Sequence, residues 1–246
     1  MLEIKGLSKS YVQGVKAVDN FNITINKGNV LGIIGPNGAG KTTVIKCLTG
    51  LLIPDEGTIS IDGVTQKKNN IEFKRKISYV AEEIQTFEKI TGIEFLNFIA
   101  DVYKINKKTR VEILQKYLKY FEMEGKITEY IADYSHGMKQ KLLLISALLH
   151  DSDVLILDEP FTGLDPTAII NLKKVILDYK KQNRIVILST HLLEMADSIC
   201  DEMCFVKKGK TLYSGHSLVY KDTKYNSVEE FYNQLINSEG DGMNGI

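Results

Sequence analysis

A glycine-rich segment early in the chain has the residue types that bind phosphate. Residues 35–42 read Gly-Pro-Asn-Gly-Ala-Gly-Lys-Thr and directly follow the uniformly apolar stretch VLGII. Glycines let backbone N–H groups turn toward phosphate oxygens, and the next helix presents its positive N-terminus. In this pattern the lysine reaches the β- and γ-phosphates of ATP, and the threonine hydroxyl ligates Mg²⁺. The residues assigned to the nucleotide are Gly35, Pro36, Asn37, Gly38, Ala39, Gly40, Lys41, Thr42 and Thr43.

Two adjacent carboxylates follow a second apolar stretch. VLIL, residues 154–157, leads directly into Asp158 and Glu159. Side chains at the carboxyl end of a strand project into the crevice where open α/β sheets bind ligands. Asp158 would hold the Mg²⁺ shell, and Glu159 would polarise the water that attacks the γ-phosphate. The competing interpretation is an exposed strand end with ordinary charges, and the phosphate loop favours the catalytic one.

The elements that position these residues follow from the pattern of apolar residues. LEIKGL, FNITIN, VLGII and TISIDG predict strands in the first part of the chain. FNITIN alternates as a half-exposed strand does, whereas VLGII is apolar throughout, as a strand covered on both faces is. From about residue 87 to 134 the spacing becomes helical, and Thr91 with Glu94 predicts a capping box. We expect this block to be an inserted helical sub-domain.

After the helical block the chain returns to strand, helix and strand. VLIL is followed by a helix that Asp165-Pro166 opens, and then by RIVILST. This alternation predicts a parallel sheet with crossover helices. The expected fold is therefore α/β: a phosphate-loop NTPase core with a parallel sheet, an antiparallel β edge and the inserted helices. We expect one folded domain over residues 1–236 and a flexible tail over 237–246.

The composition excludes several classes of protein. The chain has 246 residues, of which 43% are hydrophobic and 25% charged, as in ordinary globular domains. Its 31 Lys and Arg balance its 31 Asp and Glu, so we expect no nucleic-acid partner. Three cysteines cannot form a disulfide framework, and we expect them to be small buried residues in a reducing compartment. No apolar run approaches the roughly 20 residues of a membrane span, and the start lacks the features of a signal peptide, which predicts a cytosolic protein.

A third segment makes the pattern specific. Residues 134–140 read Tyr-Ser-His-Gly-Met-Lys-Gln, ahead of the apolar run LLLISALL. With the phosphate loop and the two carboxylates, this segment resembles the signature of the ATP-binding cassette (ABC) ATPases, and the resemblance extends from Leu2 to about Gly215. It implies that the Ser135 hydroxyl and the Gly137 amide face a phosphate of nucleotide held by the opposite subunit. The plainer interpretation is a buried helix that Ser135 caps.

Three further positions match the family. Tyr11 lies where the family stacks an aromatic ring on adenine, although a tyrosine there also suits plain packing. Residues 163–165, Gly-Leu-Asp, match the segment that crosses the dimer interface, although Asp165 also suits a helix cap. His191 matches the switch histidine that senses the γ-phosphate. The resemblance thus implies Glu159, His191 and Lys41 as catalytic residues.

Two departures distinguish this chain from the commonest family pattern. His136 and Met138 stand where the signature usually has Gly and Gln, and Glu82 stands where a metal-contacting Gln is usual. Both departures resemble the sub-group that powers small exporters of peptides, antibiotics or lipids. Glu82 would either join Thr42 and Asp158 as a metal ligand or face the groove of the permease.

The resemblance implies a complete working unit. Two ATPase subunits, identical or different, would close around ATP and Mg²⁺ and drive a separate transmembrane permease. The chain would then lie in the cytoplasm, on the inner face of the cell membrane. The alternative is a soluble regulatory or translation-associated ATPase of the same superfamily, most of which carry two cassettes in one chain.

Overall fold

The computed structural model describes residues 1–12, 14–66, 70–82, 87–217 and 225–238. Its strands are β1 (Leu2–Val12), β2 (Val15–Ile25), β3 (Val30–Ile34), β4 (Glu56–Ile61), β5 (Val64–Thr65), β6 (Ile77–Val80), β7 (Val154–Asp158), β8 (Ile185–Thr190), β9 (Glu202–Lys207) and β10 (Lys210–His216). Its helices are α1 (Lys41–Leu48), α2 (Ile71–Arg75), α3 (Gly92–Val102), α4 (Lys107–Tyr120), α5 (His136–Ala147), α6 (Pro166–Lys181), α7 (Leu193–Ile199) and α8 (Val228–Ser238).

A six-stranded sheet forms the centre of the fold, with strand order β10-β9-β3-β8-β7-β6. β3 pairs in parallel with β8 and β9, and β7 pairs in parallel with β6 and β8. The register places Ile34 beside Thr190, and Asp158 beside Ser189. The carboxyl ends of β3, β7 and β8 therefore meet at one edge, where open α/β sheets bind ligands.

Most of the antiparallel strands form a second sheet, with order β2-β1-β4-β5. β1 lies between β2 and β4, and Leu2 is paired with both Ile25 and Ile61. The predicted α/β class is thus confirmed. The antiparallel edge of the central sheet is a single strand, β10, which pairs with β9, whereas β1 is paired on both edges, by β2 and β4.

Alternate residues of the central strands point to opposite faces and build two apolar clusters. Leu155 and Leu157 belong to the first cluster, against α3 to α6, whereas Val154 and Ile156 belong to the second, against α1 and the antiparallel sheet. β3, β7 and β8 are buried along their whole length, as their continuous apolar sequences predict. The site edge is therefore held by strands packed on both faces.

Two helices, α3 and α4, lie in the span predicted to be helical. The predicted capping box is present, because the Thr91 hydroxyl accepts from the Glu94 N–H at 3.3 Å and the Glu94 carboxylate accepts from the Thr91 N–H at 2.8 Å. On α4, Leu114 and Leu118 are buried, whereas Val111 is 50% exposed. The apolar side of α4 is therefore buried at Leu114 and Leu118 and open to solvent at Val111.

All three cysteines are free and buried, as predicted. Cys47 and Cys204 belong to the second cluster and Cys200 to the first. Burial raises the pKa of Cys47 to about 11 and that of Cys204 to about 12, and it raises the pKa of Cys200 as well. These thiols therefore behave as small apolar side chains.

The C-terminal helix α8 extends to Ser238, so the tail predicted over 237–246 begins inside a helix. Residues 239–246 lie outside the described part of the chain. Ser227 accepts from the N–H of Glu230 at 3.2 Å, and the Glu230 carboxylate accepts from the N–H of Asn226 at 2.8 Å. Within the described ranges, none of the helices is long and apolar enough to cross a membrane.

Candidate nucleotide-binding site

The phosphate loop runs from β3 into α1 at the site edge of the central sheet. Its first residue, Gly35, lies so close to β9 that a Cβ atom there would collide with the carbonyl of Val206. Gly40 has a left-handed backbone, with φ of 108°, and accepts from the N–H of Val44 at 3.0 Å to begin α1. Both positions therefore require glycine, one for close approach and one for its backbone angle.

Lys41 is buried at the centre of this loop, with 5% of its surface exposed. Its ammonium donates to the carbonyl of Gly35 at 2.7 Å and to that of Pro36 at 3.3 Å. The same ammonium lies 3.1 Å from Oε1 of Glu159. The first residue of α1 thus carries a positive charge between the loop and the catalytic carboxylate predicted from the sequence.

Asp158 ends β7 and is 1% exposed. Ser189, its neighbour on β8, donates its hydroxyl to Oδ1 of Asp158 at 2.5 Å. Burial raises the pKa of Asp158, and the hydrogen bonds from Ser189 and Thr42 oppose that rise. A carboxylate and a hydroxyl that meet in this way are two oxygen ligands of the kind Mg²⁺ prefers. Thr42 and Asp158 are therefore suitably placed to hold the metal.

Glu159 is held in an unusual backbone conformation, with φ of +45°, which residues other than glycine rarely adopt. Its N–H donates to the Ser189 hydroxyl at 3.0 Å, and its Oε2 lies 3.0 Å from Nδ1 of His191. Its side chain is only 8% exposed, and its Oε1 faces the Lys41 ammonium at 3.1 Å. Strained backbone of this kind is concentrated at functional sites. The structure thus brings Glu159, His191 and Lys41 together.

A cleft of about 430 Å³ opens in front of the phosphate loop. Tyr11 forms one wall, 61% exposed, with its hydroxyl 3.3 Å from that of Thr43. Glu82 and Glu159 also line the cleft. Its size is that of a small-ligand pocket. The predicted residues that line it are Tyr11, Pro36, Asn37, Gly38, Ala39, Gly40, Lys41, Thr42, Thr43, Glu82 and Glu159.

Ser135 and Gly137 are not among the residues that line this cleft. Ser135 is exposed and caps α5, because its hydroxyl accepts from the N–H of Met138 at 3.2 Å. The structure thus contains the helix cap that was the plainer interpretation of this serine. A Cβ atom on Gly137 would collide with the carbonyl of Gly163, and one on Gly163 would collide with the ring of His136. The signature segment is therefore packed against residues 163–165, the other segment assigned to the dimer interface.

Ser189 is the site residue that the sequence analysis missed. It lies in the strand read as RIVILST, and it contacts the backbone of Glu159 as well as the carboxylate of Asp158. The signal is a polar residue near the carboxyl end of an otherwise apolar central strand. Only the register of β7 with β8 shows which carboxylate such a residue meets.

Comparison with known proteins agrees with this geometry. The family model described as "ABC transporter" matches residues 18–162. The chain is 35% identical over 205 residues to ABC transporter ATP-binding protein NatA of Bacillus subtilis, covering 82% of each chain. It is 33% identical over 220 residues to Nod factor export ATP-binding protein I of Sinorhizobium fredii, covering 89% of this chain and 64% of that protein. A solved structure described as the ATP-binding subunit of an ABC transporter superposes with a TM-score of 0.89 at 31% identity, covering 96% of this chain and 99% of that one.

The matched region contains the phosphate loop, the signature segment and both carboxylates at the end of β7. It thus includes the phosphate loop, both carboxylates and the Ser135 segment, whereas Tyr11, Ser189 and His191 lie outside it. The chain belongs to the ABC transporter family, and it is an ATP-binding ATPase of that family.

Proposed function

We propose that this ATPase powers a separate membrane permease that exports a peptide, an antibiotic or a lipid. Two ATPase subunits, identical or related, close around ATP and Mg²⁺ and reopen after hydrolysis. The observation that carries the hydrolytic part is that buried Glu159 contacts both buried Lys41 and the more exposed His191, next to Asp158 in the sequence. A base, a cation and a metal-binding carboxylate close together are what phosphoryl transfer to water requires.

The position of each residue in the site indicates its role in hydrolysis. Lys41 binds the β- and γ-phosphates, while Thr42 and Asp158, with Glu82 on the cleft wall, hold Mg²⁺. The metal, when bound, neutralises charge on the phosphates. Glu159 accepts a proton from the attacking water, and its carboxylate lies between the Lys41 ammonium at Oε1 and the His191 imidazole at Oε2. His191 thereby fixes the orientation of the base.

Dimerisation follows from the separation of two phosphate-binding segments. The phosphate loop lines the cleft, whereas Ser135 and Gly137 do not. Each segment begins a helix and offers its N-terminus to phosphate. One nucleotide is gripped by both segments only if they come from different subunits. Loss of the γ-phosphate then releases what the Ser135 segment holds.

Export through a permease has two supports. Glu82, His136 and Met138 match the exporter sub-group rather than the commonest family pattern. One relative is named for Nod factor export, and the other relative reported above is also named as a transporter protein. These names favour transport over the soluble regulatory or translation-associated alternative. A permease partner would hold the chain on the cytoplasmic face of the membrane.

Glu159→Gln tests the hydrolytic cycle, because it keeps the shape of the side chain and removes its charge. The variant should bind ATP, hydrolyse it at least about 100-fold more slowly and accumulate as an ATP-dependent dimer, in line with the usual contribution of a general base. Size exclusion with light scattering, with and without ATP, measures the dimer. Normal hydrolysis by this variant would contradict the proposal.

Adding Ser135→Arg to that variant tests whether the Ser135 segment binds the phosphate of nucleotide held by the other subunit. A bulky cation would fill the place of the phosphate, so the dimer should disappear while calorimetry still shows ATP binding to the monomer. A dimer that persists in the double variant would remove Ser135 from the interface. The transport role is tested by searching the neighbouring genes for a chain with several membrane spans and co-expressing it with this one. Co-purification and stimulated ATPase activity support the role, whereas association with ribosomes would favour the alternative.

A further inference from the structure

Ser189 places a hydroxyl in a central strand whose preceding residues, from Ile185 to Leu188, are all apolar. It lies one position before β8 ends at Thr190, and none of its surface is exposed. A hydroxyl buried among apolar side chains costs free energy unless it is hydrogen-bonded, whereas an apolar residue would fill the same place without that cost. The value of this serine therefore lies in what its hydroxyl binds.

The Ser189 hydroxyl binds the end of β7 through two hydrogen bonds. It donates to Oδ1 of Asp158 at 2.5 Å and accepts from the N–H of Glu159 at 3.0 Å. Because a serine hydroxyl has a single hydrogen to donate, the bond to Asp158 directs that hydrogen and leaves an oxygen lone pair for the N–H of Glu159. The register of β7 and β8, which pairs Asp158 with Ser189, brings these groups together. One hydroxyl thus holds two consecutive residues of the site.

The backbone of Glu159 is the part of the site that most needs to be held. Its φ of +45° lies in the left-handed region, and a residue other than glycine stays there only where the surrounding structure fixes it. β7 ends at Asp158, so the N–H of Glu159 is the first one beyond the strand, and its partner is the side chain of Ser189. Loss of that hydroxyl would leave a buried N–H without this partner and allow the backbone to relax.

His191 lies two residues beyond Ser189 and contacts the other end of Glu159. Its Nδ1 is 3.0 Å from Oε2, while the Lys41 ammonium is 3.1 Å from Oε1. The carboxylate reaches both partners only if the Cα atom from which it extends is in place. The end of β8 therefore holds Glu159 twice, at its backbone through Ser189 and at its carboxylate through His191.

We propose that Ser189 is a positioning residue of the ATPase site: its hydroxyl fixes the backbone of Glu159 so that the carboxylate is aimed at the attacking water. This assignment rests on the role proposed above for Glu159 as the base. Ser189 is not among the residues that line the cleft of the phosphate loop. Its loss should therefore act on the rate of hydrolysis and not on the affinity for ATP.

Steady-state kinetics of the full chain at saturating Mg²⁺ test this assignment, with Ser78→Ala as the matched control. Ser189→Ala should lower kcat about tenfold, the order of loss caused by a small misplacement of a catalytic group, and leave the calorimetric affinity for ATP within about twofold. Ser78 is 1% exposed, lies on β6 of the same sheet, and its hydroxyl is 3.2 Å from Nδ1 of His150. Ser78→Ala thus removes an equally buried hydroxyl whose partner is outside the site, and it should keep kcat within about twofold.

Threonine and valine at position 189 isolate the hydroxyl, because the two side chains have nearly the same shape. Ser189→Thr should keep kcat within about threefold, whereas Ser189→Val should be as slow as the alanine variant. Equal losses in these two variants, an unchanged kcat in Ser189→Ala, or a matching loss in Ser78→Ala would overturn the proposal. Circular dichroism and thermal unfolding show whether each variant is folded. If the branched side chains do not fit, Ser189→Cys, whose thiol is a weaker donor and acceptor, should have a kcat between those of serine and alanine.

A double variant separates this proposal from the one on which it rests. If Ser189 acts through Glu159, adding Ser189→Ala to Glu159→Gln should slow hydrolysis by no more than about twofold beyond Glu159→Gln alone. Independent, multiplying losses would overturn the route through Glu159. A normal rate in Glu159→Gln would instead remove Glu159 as the base. That result differs from failure of the Ser189 assignment, in which Glu159→Gln is slow and Ser189→Ala is not.

Discussion

Tyr11 is the residue whose contribution to ATP binding is the simplest to measure. Its ring is 61% exposed on the wall of the cleft, and its hydroxyl approaches that of Thr43. Stacking of an aromatic ring on a base contributes about 1–3 kcal/mol. Tyr11→Ala should therefore weaken ATP binding about tenfold or more without changing its Mg²⁺ dependence. Tyr11→Phe, which keeps the ring and loses the hydroxyl, should bind normally. Calorimetry that finds unchanged affinity for the alanine variant would exclude Tyr11 from the site.

Glu82 is the residue at which this chain departs from its family inside the cleft. Glu82 lines the same cleft as Thr42 and Glu159. This position supports a role as a metal ligand over a position that faces the permease. Replacing a carboxylate ligand by an amide changes the field at the metal, so Glu82→Gln should alter the Mg²⁺/Mn²⁺ preference of hydrolysis. Glu88→Gln is the matched control. The Glu88 carboxylate is exposed, lies 3.7 Å from the Lys139 ammonium and does not line the cleft. An unchanged metal preference, with loss of permease-coupled activity only, would favour the permease groove.

At the scale of the element, Asp165 determines how α6 begins. Its carboxylate accepts from the N–H of Ala168 at 2.8 Å and lies 2.6 Å from the ammonium of Lys141 on α5. Asp165→Ala should lower the free energy of unfolding by about 1 kcal/mol, the usual cost of a lost N-cap. Asp165→Asn keeps a capping oxygen and should cost less. Equal stability of the alanine variant and the parent in urea unfolding would contradict this role.

The same residue gives α6 a dependence on pH. The hydrogen bond from Lys141, followed by that from Ala168, holds the pKa of Asp165 below its ordinary value of 3.8. A carboxyl with a depressed pKa stabilises the fold above its unfolded pKa, and this contribution is lost as the pH falls through the folded value. The difference in stability between the parent and Asp165→Asn should therefore be constant near neutral pH and shrink below about pH 4. Unfolding curves at several pH values measure it.

The elements differ in how far their sequences specify them. The bounds of β3 and β7 were predicted closely. A short apolar run that directly precedes a functional motif is typical of a buried strand. The start of α3 was predicted because a capping box is local. β9, β10 and α8 were not predicted, since their stability comes from pairing with β3 and from aromatic contacts around Phe205. Such long-range contacts have no local signature.

The site shows the same division. Residues within one motif, such as Lys41 and Thr42, were identified from spacing alone. Ser189 was missed because its role depends on which strand lies next to β7. Tyr232 on α8 lines a cavity together with Pro36 and Asn37 of the phosphate loop, and only the folded chain brings these distant residues together.

For the whole molecule, the helices of residues 87–134 share one apolar cluster with the central sheet. Phe121, 1% exposed, belongs to that cluster, and the side-chain amide of Asn171 on α6 donates to the Tyr120 carbonyl at 2.7 Å. Phe121→Ala should lower the free energy of unfolding by about 3–5 kcal/mol, and the chain should still unfold in one transition. Val111→Ala, on the exposed side of α4, should change stability by less than about 0.5 kcal/mol. Two transitions in calorimetry, with one shifted, would show that the sub-domain unfolds alone.

The burial of the three cysteines makes the natural chain ready for covalent labelling. Maleimides and iodoacetamides react with thiolates, and burial suppresses that form at Cys47, Cys200 and Cys204. A fluorophore attached to a cysteine introduced at an exposed position would therefore report on dimer closure without removal of the natural thiols. The same thiols become reporters when the fold opens. Because Cys47 and Cys204 lie in one apolar cluster and Cys200 in the other, the order of their alkylation in denaturant reveals which side of the central sheet is exposed first.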